Sequence, residues 1–168
     1  MKNFDAIKLF NFLKEPEAGN ITFTEVKSFF QFKRNIKSLE EYVKTIADLE
    51  KEFKTPSDTF VKYEQIKIEQ VTPFLKRDES GKLIVDQQGG SPIVEGSDDR
   101  VRSIILALNE EYKEAIEERV SKLQGWEKFL QTDAEFELFM IPASTLKLHD
   151  KMDAKQFDAL SLMLDEDN

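Results

Sequence analysis

His149 is the only histidine in the chain, so a nucleophile system with an imidazole base would have to be built around it. Lys147, Asp150 and Lys151 lie beside it in a segment that the pattern predicts as a helix end. A cation near the C-terminus of a helix is a common stabilising choice. A general base also needs a positioned partner and a cleft, which the sequence does not indicate. We therefore predict no catalytic residue.

Carboxylates are numerous, but they do not form a cation-binding pattern. They occur as three adjacent pairs and one alternating group: Asp98-Asp99, Glu110-Glu111, Glu117-Glu118, and Asp133, Glu135 and Glu137. A hard-cation site needs several oxygens that converge from a loop, whereas these acids fit helix starts and solvated helix faces. Cysteine is absent, and the six glycines form no phosphate-binding fingerprint. We predict neither a metal nor a cofactor.

Basic residues lie among aromatic ones in a single region of the chain. The basic residues are Lys27, Lys33, Arg34 and Lys37, and the aromatic ones are Phe29, Phe30 and Phe32. Such a mixture can bind single-stranded nucleic acid by base stacking. Phe29 and Phe32 also fall on the apolar seam of a predicted helix, so we interpret the basic residues as the solvent face opposite that seam.

Some of the basic and amide side chains remain candidates for contact with a partner. These are Lys27, Arg34, Lys37, Lys82, Gln87 and Gln88. The first three belong to the basic region, and the others lie beside or within a polar loop from Asp86 to Gly96. Loops of this length are often functional or disordered.

Two long segments with helical periodicity must position these residues. They run from about Thr24 to Phe53 and from about Asp98 to Leu130. In the first, apolar residues recur as a heptad seam at Phe29, Phe32, Ile36, Leu39, Val43, Ile46 and Phe53. From both segments we predict a core of Phe32, Ile36, Leu39, Val43, Ile46, Ile105, Leu108, Tyr112 and Ile116.

Two shorter segments indicate β structure. The turn signal Asp78-Glu79-Ser80-Gly81 separates two apolar stretches and predicts a hairpin. Apolar residues alternate in Glu135–Ile141, which predicts a strand. We expect this strand to pair with Lys82–Val85 or with Pro92–Val94. The predicted fold class is mainly α with minor β: a long antiparallel helical hairpin or bundle with a small β-hairpin or short sheet.

The length of 168 residues suits one domain, 1–168. Within it we predict three regions in order. They are N-terminal helices in 1–72, a hairpin with a mobile loop in 73–96, and a long helix, a strand and short C-terminal helices in 97–168.

Composition restricts the partners and the compartment. The formal net charge of −9 repels phosphate backbones, which disfavours general nucleic-acid binding. We find neither a signal peptide nor an apolar run long enough to span a bilayer. The sequence thus predicts a cytoplasmic protein without a membrane partner, and its broad apolar seam allows self-association into a homo-oligomer.

The order of these parts resembles that of small accessory proteins encoded by tailed bacteriophages and prophages. The resemblance rests on a helical N-terminal half, the segment Phe74–Leu83, and a strand followed by short helices from Glu135 to Leu164. It extends over about two thirds of the chain, and it assigns no functional residue. It implies a viral, non-enzymatic protein of a bacterial host cell that works through contacts.

Three function hypotheses follow, in order of preference. The first is a protein that contacts another protein of the phage or host, as a virion-associated component or an assembly or accessory factor. The second is an acidic inhibitor that mimics nucleic acid and blocks a host nucleic-acid-binding or defence protein, although lysines interrupt most acidic runs. The third, an enzyme, would need a cleft that joins His149 to the acids of 133–137.

Overall fold

The computed structural model describes residues 1–15, 18, 21–86, 89–147 and 154–165. In these residues long helices accompany strands of only two residues, so the predicted fold class, mainly α with minor β, is confirmed. None of the described helices is long and apolar enough to cross a bilayer. The chain divides into two compact units: unit 1 is Met1–Lys54 with Gly125–Asn168, and unit 2 is Thr55–Gln124. The single domain expected from chain length stays a prediction.

Unit 1 is built on two helices within the region 1–72, where N-terminal helices were predicted. These are α1 (Asn3–Leu13) and α2 (Val26–Lys54), and they pack against each other. Its remaining elements are β1 (Thr22–Phe23), the last turns of α5 (Lys113–Leu130), β2 (Ile141–Pro142), a 3-10 turn (Ala143–Thr145), β3 (Leu146–Lys147), α6 (Ala154–Ser161) and β4 (Leu164–Asp165).

Unit 1 contains two short β ladders. β1 pairs antiparallel with β3, with Thr22 opposite Lys147, and β2 pairs parallel with β4, with Ile141 opposite Leu164. The strand predicted over Glu135–Ile141 was therefore wrong in extent and in partner. Residues 135–140 form no ladder, because the backbone of this segment bonds instead to side chains of α2.

The buried face of α2 is rotated from the predicted seam. Its fully buried side chains are Ser28, Phe32, Asn35, Leu39 and Ile46. Phe32, Leu39 and Ile46 were predicted correctly, whereas Ile36 and Val43 are half-buried and Phe29 is exposed. The seam was misplaced because it assigned the polar Ser28 and Asn35 to solvent. Phe32 and Leu39 join a core that also includes Leu9, Phe12, Ile141, Leu160 and Met163.

Unit 2 contains an antiparallel pair of helices, α3 (Asp58–Val71) and α4 (Asp98–Glu111), followed by the first turns of α5. The Tyr63 hydroxyl, near the start of α3, donates to Asn109 near the end of α4 at 2.8 Å. Its core is small: Tyr63, Leu108 and Tyr112, with half-buried Phe60, Ile66, Ile104 and Ile116.

The single helix predicted over Asp98–Leu130 is divided at Tyr112. There the backbone leaves helical geometry, with φ −106° and ψ 19°, and α5 begins at Lys113. Neither glycine nor proline marks the position, and the apolar spacing continues through it. The sequence therefore carries no signal for this break.

The predicted hairpin is confirmed. Arg77 and Leu83 face each other antiparallel, and Gly81 closes the turn with φ 83°. The same first segment continues to pair farther along the returning chain, where Leu75 faces Ile93. The Asp86 N–H donates to the Gly90 carbonyl, and the Gly90 N–H donates to the Asp86 carboxylate.

Candidate functional site

The first two turns of α2 carry large apolar side chains that point into solvent. Val26 is 72% exposed, Phe30 is 61% exposed and Phe29 is 42% exposed. Val26 and Phe30 are one helical turn apart and so lie on one face. A cluster of this kind is more informative than a single exposed leucine, because contiguous apolar patches mark interaction sites.

The orientation of α2 follows from a row of polar residues on its opposite side. Ser28, Asn35 and Tyr42 are seven residues apart, so they share one face of the helix. The Thr145 hydroxyl donates to the Ser28 hydroxyl at 2.9 Å, and the Glu135 N–H donates to the Tyr42 hydroxyl at 3.1 Å. The segment 135–145 thus runs antiparallel along α2 and fixes this side as the inner one.

Asn35 makes the central bonds of this row. Its amide nitrogen donates to the Phe139 carbonyl at 2.8 Å, and its amide oxygen accepts from the Phe139 N–H at 2.8 Å. One side chain thereby satisfies both backbone groups of Phe139, as a neighbouring strand would. The phenyl ring stays outside, 46% exposed, with the Arg34 guanidinium 5.7 Å from its centroid.

Cations of α2 lie directly on these rings. The Lys33 Nζ is 5.5 Å from the centroid of Phe29, whose ring meets that of Phe30 edge-on at 6.0 Å. Cation–ring distances below about 6 Å are attractive. We name the set Val26, Phe29, Phe30, Lys33, Arg34 and Phe139 the aromatic–basic surface.

The surface carries a charge of opposite sign to the rest of the chain. Residues 24–38 contain Lys27, Lys33, Arg34 and Lys37 against the single acid Glu25, a local charge of 4 − 1 = +3. The chain as a whole has −9, so all other residues together carry −9 − 3 = −12. This part of α2 is therefore a positive area on an acidic protein.

Three of the predicted partner-binding residues lie at this site. Lys27 and Lys37 are exposed beside the surface, Arg34 belongs to it, and the Lys37 Nζ lies 4.0 Å from a Glu41 carboxylate oxygen. Lys82 is exposed in the hairpin of unit 2. Gln87 and Gln88 lie outside the described residues, so their predicted role stays a prediction.

Acidic groups that the sequence pointed out are held in exposed ion pairs. The Lys2 ammonium bonds Asp133 at 2.7 Å, and this hydrogen bond holds the pKa of Asp133 below its ordinary value. Lys122 does the same for Glu118 at 2.8 Å. No group of three or more His, Cys, Asp or Glu side chains suited to a metal occurs among the described residues, and His149 lies outside them.

A groove of about 670 Å³ lies between α1 and α6. Asp5, Lys8, Glu15 and Asp158 line its walls, and the Gln156 amide donates to Glu15 at 2.7 Å. Its described lining contains no serine, cysteine or histidine that could form a nucleophile–base pair. The groove therefore gives less support to a function than the aromatic–basic surface does.

Sequence reasoning found the cations of the site but placed Phe29 on the apolar seam of the helix and gave Phe139 no role. The missed signal is the seven-residue spacing of Ser28, Asn35 and Tyr42, three polar groups that could bond a returning chain. Comparison with protein-family models, curated proteins and solved structures finds no match to this chain.

Proposed function

We propose that this protein is a non-enzymatic protein of bacteriophage type that binds another protein through its aromatic–basic surface. The observation that carries the proposal is the exposure of Val26, Phe29 and Phe30 beside Lys33 and Arg34. Aromatic residues and arginine are enriched at the centres of protein interfaces, where desolvated anchors supply most of the binding energy.

The resemblance to phage accessory proteins supports the biological setting. The protein would act in the cytoplasm of a bacterial host as an assembly or accessory factor, or become part of the virion. The mimic hypothesis has less support, because it needs unbroken rows of carboxylates. Lysines instead pair with acids along the described helices, as in Lys54–Glu50 and Lys122–Glu118.

Two matched variants test the proposal. Phe30 and Leu106 are both apolar and both 61% exposed, but only Phe30 belongs to the surface. We would substitute each by glutamine, a good helix former that keeps the helix intact. Each variant and the native chain would serve as bait in bacterial lysate, and the enriched protein would be purified and titrated calorimetrically.

The proposal expects a saturable partner whose affinity falls at least about tenfold in Phe30→Gln, as at an interface anchor. Leu106→Gln should retain the native affinity. Equal affinities of native protein, Phe30→Gln and Leu106→Gln for every purified partner would overturn the proposal.

A further inference from the structure

We propose that the partner segment seated on the aromatic–basic surface is acidic and amphipathic, with carboxylates flanking apolar side chains. This inference rests on the proposed function and specifies the partner's chemistry. It commits to a segment of another protein, and it follows from the charge, the apolar centre and the ring contacts of the site.

Charge complementarity selects an acidic occupant. Lys27, Lys33, Arg34 and Lys37 surround the apolar centre, and the local charge is +3 while the remaining residues carry −12. Complementary charge accelerates encounter and excludes like-charged partners. An acidic segment is therefore attracted to this part of α2.

The centre of the surface requires apolar groups in the partner. Val26, Phe29 and Phe30 present branched aliphatic and aromatic carbon to solvent, and carboxylates alone would leave this carbon hydrated. Covering it with apolar side chains gains about 25 cal/mol per Å² removed from water. The occupant thus needs both apolar anchors and flanking acids.

The ring contacts favour a protein over single-stranded nucleic acid. A base needs a free ring face on which to stack. Lys33 covers one face of Phe29, and Arg34 covers one face of Phe139.

The test uses three fluorescent probes with the whole 168-residue chain. The first is a peptide of about 15 residues, long enough for four helical turns, with leucines at helical spacing and glutamates elsewhere. The second replaces every glutamate by lysine, and the third is a single-stranded oligothymidine. Anisotropy titrations at low and moderate salt give each affinity, and light scattering gives the mass of the protein alone.

We expect the acidic peptide to bind most tightly and to bind more weakly as salt increases. Phe30→Gln, and separately the double variant Lys33→Glu/Arg34→Glu, should each weaken it at least about tenfold. The matched controls Leu106→Gln and Lys62→Glu/Arg102→Glu replace exposed residues of unit 2 and should leave it unchanged. Circular dichroism would verify that all four variants fold.

Every other outcome overturns the inference. The outcomes also distinguish a failure of this inference from a failure of the proposed function. Binding of the lysine peptide alone, dependent on Phe30, contradicts the acidic partner but keeps the proposed function. Binding of oligothymidine alone, dependent on Phe30, overturns both. A dimer abolished by Phe30→Gln assigns the surface to a second copy. If the acidic peptide does not bind at about 1 mM, the weak end of specific recognition, the inference is overturned. The lysate experiment with Phe30→Gln and Leu106→Gln then decides the proposed function.

Discussion

Asn35 is the residue that connects the architecture of unit 1 to its exposed surface. Its side chain is completely buried, yet it makes both of its described bonds to the backbone of an exposed residue, Phe139. This arrangement satisfies a buried amide and at the same time holds a phenyl ring next to Arg34. A structural polar group thus positions part of the aromatic–basic surface.

Replacing Asn35 by leucine should destabilise the protein by about 2 kcal/mol, because the Phe139 N–H and C=O lose their partners. Urea unfolding measured by circular dichroism would give this difference. Asn11→Leu is a suitable control, because Asn11 is exposed on α1. An Asn35→Leu variant as stable as the native chain would show that the two bonds contribute nothing to unit 1.

Two exposed aspartates should respond differently to salt. Hydrogen bonds from Ser80 and from the Lys82 N–H lower the pKa of Asp78, whereas a hydrogen bond from Lys51, with its positive charge, lowers the pKa of Asp48. Added salt screens charges but not neutral donors. We expect salt to raise the pKa of Asp48 and leave that of Asp78 unchanged, as followed by carboxyl carbon shifts in an NMR titration.

Removing the hydroxyl in Ser80→Ala should raise the pKa of Asp78 and not that of Asp48. Because folding lowers the pKa of Asp78, the turn is stabilised above the ordinary pKa and loses this contribution as pH falls through the folded-state value. A pKa of Asp78 that Ser80→Ala does not change would contradict the assignment of Ser80 as its main donor.

At the scale of elements, the decisive feature is which face of α2 is inside. The predicted seam and the observed one share Phe32, Leu39 and Ile46, and they differ by the rotation that exposes Phe29 and buries Ser28. Hydrophobicity alone could not choose between them, since it gives polar residues no reason to be buried. Hydrogen bonds to the segment 135–145 supply that reason.

The rotation of the buried face of α2 relative to the predicted seam leads to different expectations for two phenylalanines. Phe32→Ala should cost about 3 to 5 kcal/mol, as expected for a buried ring. Phe29→Ala should cost less than about 1 kcal/mol, as expected for an exposed position. Chemical denaturation of both variants provides the comparison, and equal losses of stability would restore the seam predicted from the sequence.

Helices were predictable here because periodicity is local, as α2 illustrates. The turn at Asp78–Gly81 was predictable because its residues themselves specify the backbone. The prediction of a strand over Glu135–Ile141 was wrong because an alternation of apolar residues indicates which side chains are buried. It does not indicate whether a strand or a helix buries them. In this chain Phe136 and Leu138 pack against the core of unit 1, and a ladder begins only at Ile141.

For the whole molecule, the two units differ in how much apolar surface they bury. Among the described residues, the buried apolar side chains of unit 2 are Tyr63, Val101, Leu108, Tyr112 and Ala115. Unit 1 buries a longer set that includes Leu9, Phe12, Phe32, Leu39, Ile46, Trp126, Ile141, Leu160 and Met163. Buried apolar area dominates the gain on folding, so unit 1 should resist local opening more than unit 2.

Native-state hydrogen exchange should therefore show the amides of α3 and α4 opening at lower free energy than those in the centre of α2.

Tyr112→Ala should widen this difference in opening free energy, because it removes a ring that contacts Tyr63 at 5.7 Å in the small core of unit 2. Trp126, the only tryptophan, lies in unit 1 and reports its unfolding separately by fluorescence. We expect Tyr112→Ala to accelerate exchange in α3 and α4 at urea concentrations where the fluorescence of Trp126 is still native. Equal acceleration in α2 would mean that the two units open as one.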